Sequence, residues 1–482
     1  MSNSHIETWS TALTPAEITT PLGGHLASYS IPAPGLSAAH FLRQALGRPR
    51  VFWANGRSRQ LHAGFGIAAQ LLAWGPGRFA DIQSQASSLF ADAHVYAADN
   101  ALAAPRLLGG FSFSDDFAPD NTWAVFHPAH FILPHFQLSQ SAGESWLTIN
   151  AIITPDETLS ETRDTLYEAL CARFDALREA AAAETPLPNQ AAAPLHLNYP
   201  LPFQTWEGQI NEAINTIAAT PLEKVVLARV CEISSPQRLD IDAALAFLNE
   251  TYQECTRFLF EPRPYHAFYG ATPELLAHVQ DDRLTTMALA GSAPRGKTAA
   301  ADAAQRQTLL NSAKDQREHR LVVEAMCRRL APHATEITHA ATPEVYALGY
   351  IHHLLTPITA SLTAPGGVLP LVQALHPTPA LGGTPRDLAL AFIRDVEAVP
   401  RGWYAGPVGW LDHQLNGEFV VAIRSAVAQE RRAWLYAGAG IVAGSDPTQE
   451  WAETALKFEP MLRALGVDPA ITRRPGPNLE AA

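Results

Sequence analysis

The stretch from Tyr436 to Lys457, YAGAGIVAGSDPTQEWAETALK, constrains the chain more than any other. It reads as a short strand, a glycine turn and a helix start. Gly438 and Gly440 flank Ala439, so the backbone there can approach a ligand closely and offer bare N–H groups. Ser445 or Asp446 suits the N-cap, and Pro447 sits where a first helical turn tolerates proline. On the helix, Glu450, Glu453 and Lys457 fall at i, i+3 and i+7, hence on one face. Such a face is ordinarily solvated. Beside a glycine turn, however, two carboxylates and a lysine suit a divalent cation together with an anionic substrate.

Composition narrows the partners. With 482 residues and 47% apolar content, the chain has length for a large core. A formal charge of −13 argues against general binding to nucleic acid or an anionic membrane surface, so cations for an anionic substrate must be gathered locally. Cys171, Cys231, Cys255 and Cys327 lie far apart with no CxxC pair, which suits a reducing compartment and supports neither zinc nor a disulfide frame. The opening MSNSHIETWSTALTP lacks a basic and then apolar leader, and no apolar run approaches the ~20 residues needed to span a bilayer. A cytoplasmic protein is expected.

Before residue 184 the chain alternates strand-like pieces (Arg50 to Ala54, Leu108 to Phe113, Trp146 to Ile153) with helical periodicity over Arg78 to Val95 and Thr158 to Ala183. No chemical motif appears there. Residues 185–202, TPLPNQAAAPLHLNYPLP, carry proline and alanine without periodicity and read as a linker or a long surface connection.

Beyond it the informative residues multiply. A helix over Trp206 to Ala219 precedes LEKVVLARV, where Lys224 opens an apolar strand. A lysine at a strand end usually snorkels to the surface, but one buried in a strand apolar on both faces would titrate low enough to act as a base. HAFYGATPELLAHV reads as strand, glycine turn, strand, with Glu274 between a proline and two leucines. That is either an exposed turn glutamate or a carboxyl raised by apolar company and fit to be a general acid. MALAGSAPRG follows as a strand entering a small-residue loop.

Residues 309–330 read as one amphipathic helix with Asp315 and Glu318 on a shared face. One acidic pair is weak evidence for a metal, but a second at Glu450 and Glu453 makes a shared Mg²⁺ site more credible, since hard cations take oxygen ligands. His353 lies by an apolar strand, where a histidine is ordinarily satisfied in the core. In HPTPALGGTPRDLAL, Thr384 is the expected N-cap of a helix with Pro385 at its first position. RGWYAGPVGW and EFVVAIRSAVA read as antiparallel strands, with Val421 and Ile423 facing one way and Arg424 the other. An arginine in so apolar a strand needs an anionic partner, and a carboxylate fits best.

Taken in order, KVVLAR, FYGATPELL, ALAGSAPRG, SAKDQREHRLVVEA, HHLLTPI, LHPTPALGGTPR, RGWYAGPVG and AGAGIVAGSDPTQEWAETALK resemble the chorismate-utilising enzymes, and among them the isochorismate synthases. The resemblance runs from about Glu207 to the Lys457 helix. It implies a large α+β sandwich with antiparallel sheets and flanking helices. N-terminal residues 1–184 would join the catalytic region 203–470 in one body, with 185–202 as a crossing connection and 471–482 as a flexible tail.

By the same resemblance, Glu318 and Glu453 coordinate Mg²⁺, with Asp315 and Glu450 nearby in support. Gly291 and Ser292 help hold the ring carboxylate of chorismate, and His353 lines the ring pocket. Tyr404, Arg424, Lys457 and the N–H groups around Gly438 and Gly440 bind the enolpyruvyl side. Lys224 is the base that activates water for attack at C2, and Glu274 the acid that protonates the departing 4-hydroxyl. No obligatory protein partner is expected and the chain is expected to be a monomer. Related enzymes serve siderophore, menaquinone and salicylate synthesis.

The nearest alternative is a salicylate synthase, which goes on to eliminate pyruvate. Anthranilate or aminodeoxychorismate synthase is disfavoured, because those usually carry threonine where this chain has Ala380. A two-carboxylate glycoside hydrolase leaves Lys224, Arg424 and the second acidic helix unexplained. An idle binding subunit is disfavoured by the presence of both Lys224 and Glu274.

Overall fold

The computed structural model describes residues 24–96, 100–153, 158–183, 195–349, 351–364, 366–470 and 479–481. The N-terminal stretch, Asp156, Glu157 and residues 184–194 lie outside these. Among the described residues the strands form a 14-stranded and a 10-stranded sheet. Pairing is antiparallel except where His25–Pro32 runs parallel to His94–Tyr96.

Both sheets mix strands from the two ends of the chain. In the larger, Arg50–Asn55 pairs with Thr256–Arg263; in the smaller, Arg106–Phe111 pairs with Pro407–Asp412. Leu195–Asn198, within the stretch read as a connection, is a strand that pairs on one side with Lys224–Ser234. On its other side it takes Leu479–Ala481, so these residues of the expected tail form an edge strand.

The period of two decides where side chains go. In the strand Lys224–Ser234, Lys224 and Val226 face the space between the sheets, where they line a cavity beside a core that includes Phe268, Phe111 and Phe419, while Val225 and Leu227 share the opposite face with Cys231 and Ile233. A second core lies on the other face of the larger sheet, where Leu166, Leu170, Leu245 and Phe458 from helices pack on Cys231, Ile233 and Leu435. Each sheet is thus buried by another layer, the usual solution for a large α+β body.

Several local expectations are corrected by packing. The helix at Arg78 ends at Ala91, and His94–Tyr96 joins the larger sheet. The 309–330 segment joins the end of one helix, Ala299–Asn311, to a second, Ala313–Leu330, the two separated at Ser312, whose hydroxyl accepts from the Asp315 N–H. Pro385, not Thr384, occupies the N-cap of Arg386–Val396, because Thr384 is held in a short strand against Lys224. Gly270 sits within His266–Thr272; a side chain there would meet the Arg424 carbonyl at 2.6 Å. Gly438 and Gly440 likewise lie inside the strand Arg432–Ile441, and the turn follows at Val442–Ser445. EFVVAIRSAVA is two strands. Gly417–Val421 belongs to the smaller sheet and Ser425–Gln429 to the larger.

That last break positions the site. The chain crosses between sheets twice at one place, from Val421 to Ser425 and from Thr272 to Leu275. The crossings are bonded to each other: Val421 N–H donates to the Glu274 carbonyl at 3.0 Å, and Ala271 N–H to the Arg424 carbonyl at 3.1 Å. Arg424 takes φ 51°, a left-handed conformation costing a non-glycine residue on the order of 1–3 kcal/mol. The sequence alternation had placed it in a regular strand.

Candidate active site

A cavity of about 270 Å³ opens where the crossings meet the helices Ala313–Leu330 and Pro447–Ala464. All fifteen residues singled out from the sequence line it. This scale is near the small end of ligand pockets, roughly 300–1,000 Å³.

Lys224 is 2% exposed, so the surface reading fails. Its Nζ lies 2.7 Å from Glu318 Oε1. Burial raises the Glu318 carboxyl, but the Lys224 charge and hydrogen bond outweigh it and leave the group below its ordinary value. Room for this pair comes from Gly440, where an added Cβ would lie 2.9 Å from Lys224 Cε and 3.4 Å from Glu318 Oε1.

Glu274 faces the same cavity and is 4% exposed, so it is no surface turn residue. Burial pushes its carboxyl up to about 8 against the opposing influence of Lys224, Thr378, Lys457 and Arg424. At neutral pH it therefore holds a proton. The Thr378 hydroxyl stands 3.5 Å from its Oε1.

Arg424 is 6% exposed and has no carboxylate within ion-pair distance among the described residues. Its Nη2 lies 3.4 Å from His353 Nε2, and Ser292 Oγ lies 2.9 Å from His353 Nδ1. Burial, then the Arg424 charge, holds the imidazole well below its ordinary value, so it is neutral. A guanidinium only donates, which makes Nε2 the acceptor and puts the ring hydrogen on Nδ1. Ser292 Oγ then accepts from the ring, leaving its own O–H to donate towards the cavity. Gly291 makes this possible at φ 80°, in a bulge of Arg283–Pro294. His319, beside Glu318, fastens the helix to this strand through the Ala290 carbonyl and to the neighbouring strand Ile351–Leu362 through the Thr356 hydroxyl.

The C-terminal helix behaves as its spacing required. Asp446 caps it by accepting from the Gln449 N–H at 2.9 Å, and Glu450, Glu453 and Lys457 all face the cavity. Lys457 Nζ is 2.7 Å from Glu453 Oε1 and donates to the Gly438 carbonyl at 2.8 Å. Gly438 thus presents an acceptor to Lys457, where sequence spacing had pointed to its N–H. Tyr404 is buried and stacks on Tyr436 with ring centroids 5.2 Å apart.

The carboxylates suit a hard cation. Glu450 is 5% exposed, and its carboxyl is pushed up to about 7, first by burial and then by neighbouring Glu453. A divalent cation would relieve that crowding. Among the described residues no three His, Cys, Asp or Glu side chains are gathered to cage a metal unaided. The donor set is that of an ion held by one or two carboxylates, with water and substrate completing its shell.

The lining or contacting residues that were missed include Lys314, Gln449 and Thr378. Lys314 stands at i, i+4 from Glu318 and was findable by helical spacing. Gln449 at the mouth carried no signal. Thr378 meets Glu274 across 104 residues, which no local pattern reports.

A family model described as chorismate binding enzyme matches residues 16–466. The chain belongs to the chorismate-binding enzyme family. Within it, the chain is 37% identical over 403 residues to the salicylate biosynthesis isochorismate synthase of Pseudomonas aeruginosa, covering 83% of this chain and 82% of that protein. It is 32% identical to the isochorismate synthase MenF of Bacillus subtilis, covering 86% and 88%. Among solved structures, the menaquinone-specific isochorismate synthase MenF from Escherichia coli superposes with a TM-score of 0.73 at 26% identity, over 92% of this chain and 95% of that one. The family fold expected from the motifs, a large α+β sandwich, is the fold observed.

Proposed function

We propose that this protein is an isochorismate synthase, converting chorismate to isochorismate by adding water at C2 with loss of the 4-hydroxyl. The observation that carries this reading is the buried, protonated Glu274 in one cavity with Lys224 and with Arg424, a buried cation that lacks an acidic partner among the described residues. The names of the two curated relatives agree with it.

In this assignment Arg424, Tyr404 and Lys457 bind the enolpyruvyl carboxylate, since a guanidinium matches a carboxylate in charge and geometry. Ser292 and the Gly291 backbone meet the ring carboxylate, and His353 stays neutral to orient Ser292. Glu318 and Glu453 would hold Mg²⁺, supported by Asp315 and Glu450; when bound, the ion supplies positive charge to the ring carboxylate. Lys224 takes a proton from the attacking water as its oxygen bonds to C2, and the ring double bond shifts. Glu274 gives its proton to the 4-oxygen as the C4–O bond breaks, so one water enters and one leaves. As placed, the Lys224 ammonium is held by Glu318, and the base role requires that pair to open and the nitrogen to release a proton to solvent before it takes one from the attacking water. We further read residues 1–184 and 203–470 as one functional body and the protein as an independent monomer.

Incubation with chorismate and Mg²⁺, followed by separation of products, tests the assignment. Isochorismate alone is the expected product; salicylate with pyruvate would move the chain to the salicylate synthases.

Ala380 lines the cavity with a methyl group and offers ammonia no hydrogen bond. Excess ammonium is therefore expected to yield no aminated ring, and appreciable aminated product would contradict the water-specific reading.

Glu453→Gln is expected to raise the Mg²⁺ concentration for half-maximal activity by about 10-fold or more. Its denaturation midpoint should stay close to the parent's, because Glu453 is only half-buried. Full activity at limiting Mg²⁺ would remove Glu453 from the metal site.

A further inference from the structure

Arg401 and Glu397 lie outside the cavity lining and have no part in the chemistry above. Both are nearly sealed from solvent, with side chains 3% and 7% exposed. They form a two-pronged ion pair, with Arg401 Nε 2.8 Å from Glu397 Oε2 and Nη2 2.5 Å from Oε1.

The remaining capacity of the pair goes to main-chain groups behind the cavity. Arg401 Nη2 donates to the Val226 carbonyl at 2.7 Å, and Nη1 to the Leu381 carbonyl at 2.9 Å. Glu397 Oε1 accepts from the Ala228 N–H at 2.8 Å. The Arg401 carbonyl itself accepts from the Tyr404 N–H at 2.9 Å.

The strand Lys224–Ser234 explains why a side-chain pair is needed there. One edge is paired throughout with Arg432–Ile441. On the other, Gly383–Thr384 covers only Lys224 and Val225, and Leu195–Asn198 covers only Glu232 to Ser234. Between them the edge meets no strand among the described residues, and the charged pair satisfies backbone groups that burial would otherwise leave unpaired. The same guanidinium ties down the loop of Thr378 to Leu381, whose Thr378 touches Glu274.

We propose that the Arg401–Glu397 pair is a positioning brace that sets the distance between Lys224 and Glu274 by fixing the two cavity walls that carry or contact them. This rests on the roles assigned to Lys224 and Glu274 above. A brace of this kind contributes to kcat and leaves substrate affinity nearly unchanged, because neither residue lines the cavity. Small errors in such alignment are costly, with displacements of about 1 Å lowering rates by about 10²-fold.

The test uses the full-length chain as Arg401→Lys, which keeps the charge but loses the planar fork, and as Glu397→Gln, which keeps an acceptor for Ala228. Hydrogen exchange is measured by mass spectrometry alongside chorismate kinetics with Mg²⁺. In Arg401→Lys, segments 224–231 and 378–384 are expected to exchange at least about 10-fold faster together, with the rest of the larger sheet unchanged. The kcat per folded molecule should fall at least about 10-fold with KM within about 3-fold. Glu397→Gln should move the same quantities in the same direction, and the double variant should lose less than the product of the two. Uniformly faster exchange would reduce the pair to a general stability element and overturn the brace. Unchanged exchange in both segments, or faster exchange with unchanged kcat, would overturn it too. A parent protein inactive on chorismate would sink the isochorismate reading instead, while exchange would still decide whether the two segments are braced.

Discussion

Glu274→Gln is expected to lower kcat for chorismate hydration by about 10²–10⁴-fold while leaving KM near the parent value. The amide fills the same buried space and still donates a hydrogen bond, but it has no proton to give the departing 4-oxygen. A near-parent kcat would remove Glu274 from the chemistry. The pH dependence carries a second signature. Burial raises this carboxyl from 4.5 to about 8, so the folded protein keeps a proton that the unfolded chain surrenders. The associated stability is fully present below about pH 4.5 and is lost as pH rises through about 8. Parent activity should decline over the same alkaline range as the acid form disappears. The Gln variant does not ionise there, so its stability relative to the parent should be greater at pH 9 than at pH 6, as measured by denaturant unfolding. Equal relative stability at both values would show that Glu274 is not the buried acid.

Lys224→Gln should lose at least about 10² in kcat. Gln roughly keeps the length of the side chain, cannot take the proton from water, and leaves Glu318 without its 2.7 Å ammonium partner. Breaking a buried pair by removing one member typically costs about 3–5 kcal/mol, so the folded fraction must be measured beside the rate. Binding of chorismate with Mg²⁺ should survive, visible by calorimetry. A folded Lys224→Gln protein that made isochorismate at close to the parent rate would sink the base assignment and leave the family membership untouched.

The residues that line the cavity were legible because their signals are local. Helical spacing alone put Glu450, Glu453 and Lys457 on one face, and the fold keeps them there. The apolar run after Lys224 implied burial on both faces, and the strand is buried on both. What misled was reading glycine as a turn. Gly270, Gly438 and Gly440 all lie within strands, and two of them are small because another part of the chain needs the space: the Arg424 carbonyl at Gly270, and the Lys224–Glu318 pair at Gly440. A close approach between segments far apart leaves the same mark in a sequence as a tight turn.

The sequence by itself marked Lys224 and Glu274 as the candidate base and acid, through the family motifs that carry them, and set the two acidic pairs on helix faces, since motif and periodicity are properties of short segments. Only the tertiary structure decided how these groups act on one another. Arg424 and Glu274 meet because the chain crosses between two sheets at Val421–Ser425 and again at Thr272–Leu275, and the crossings bond to each other. The raised carboxyl of Glu274, the neutral ring of His353 and the crowding of Glu450 against Glu453 arise from desolvation and neighbouring charge. Those are sums over atoms brought together from distant parts of the chain, and no window of sequence contains them.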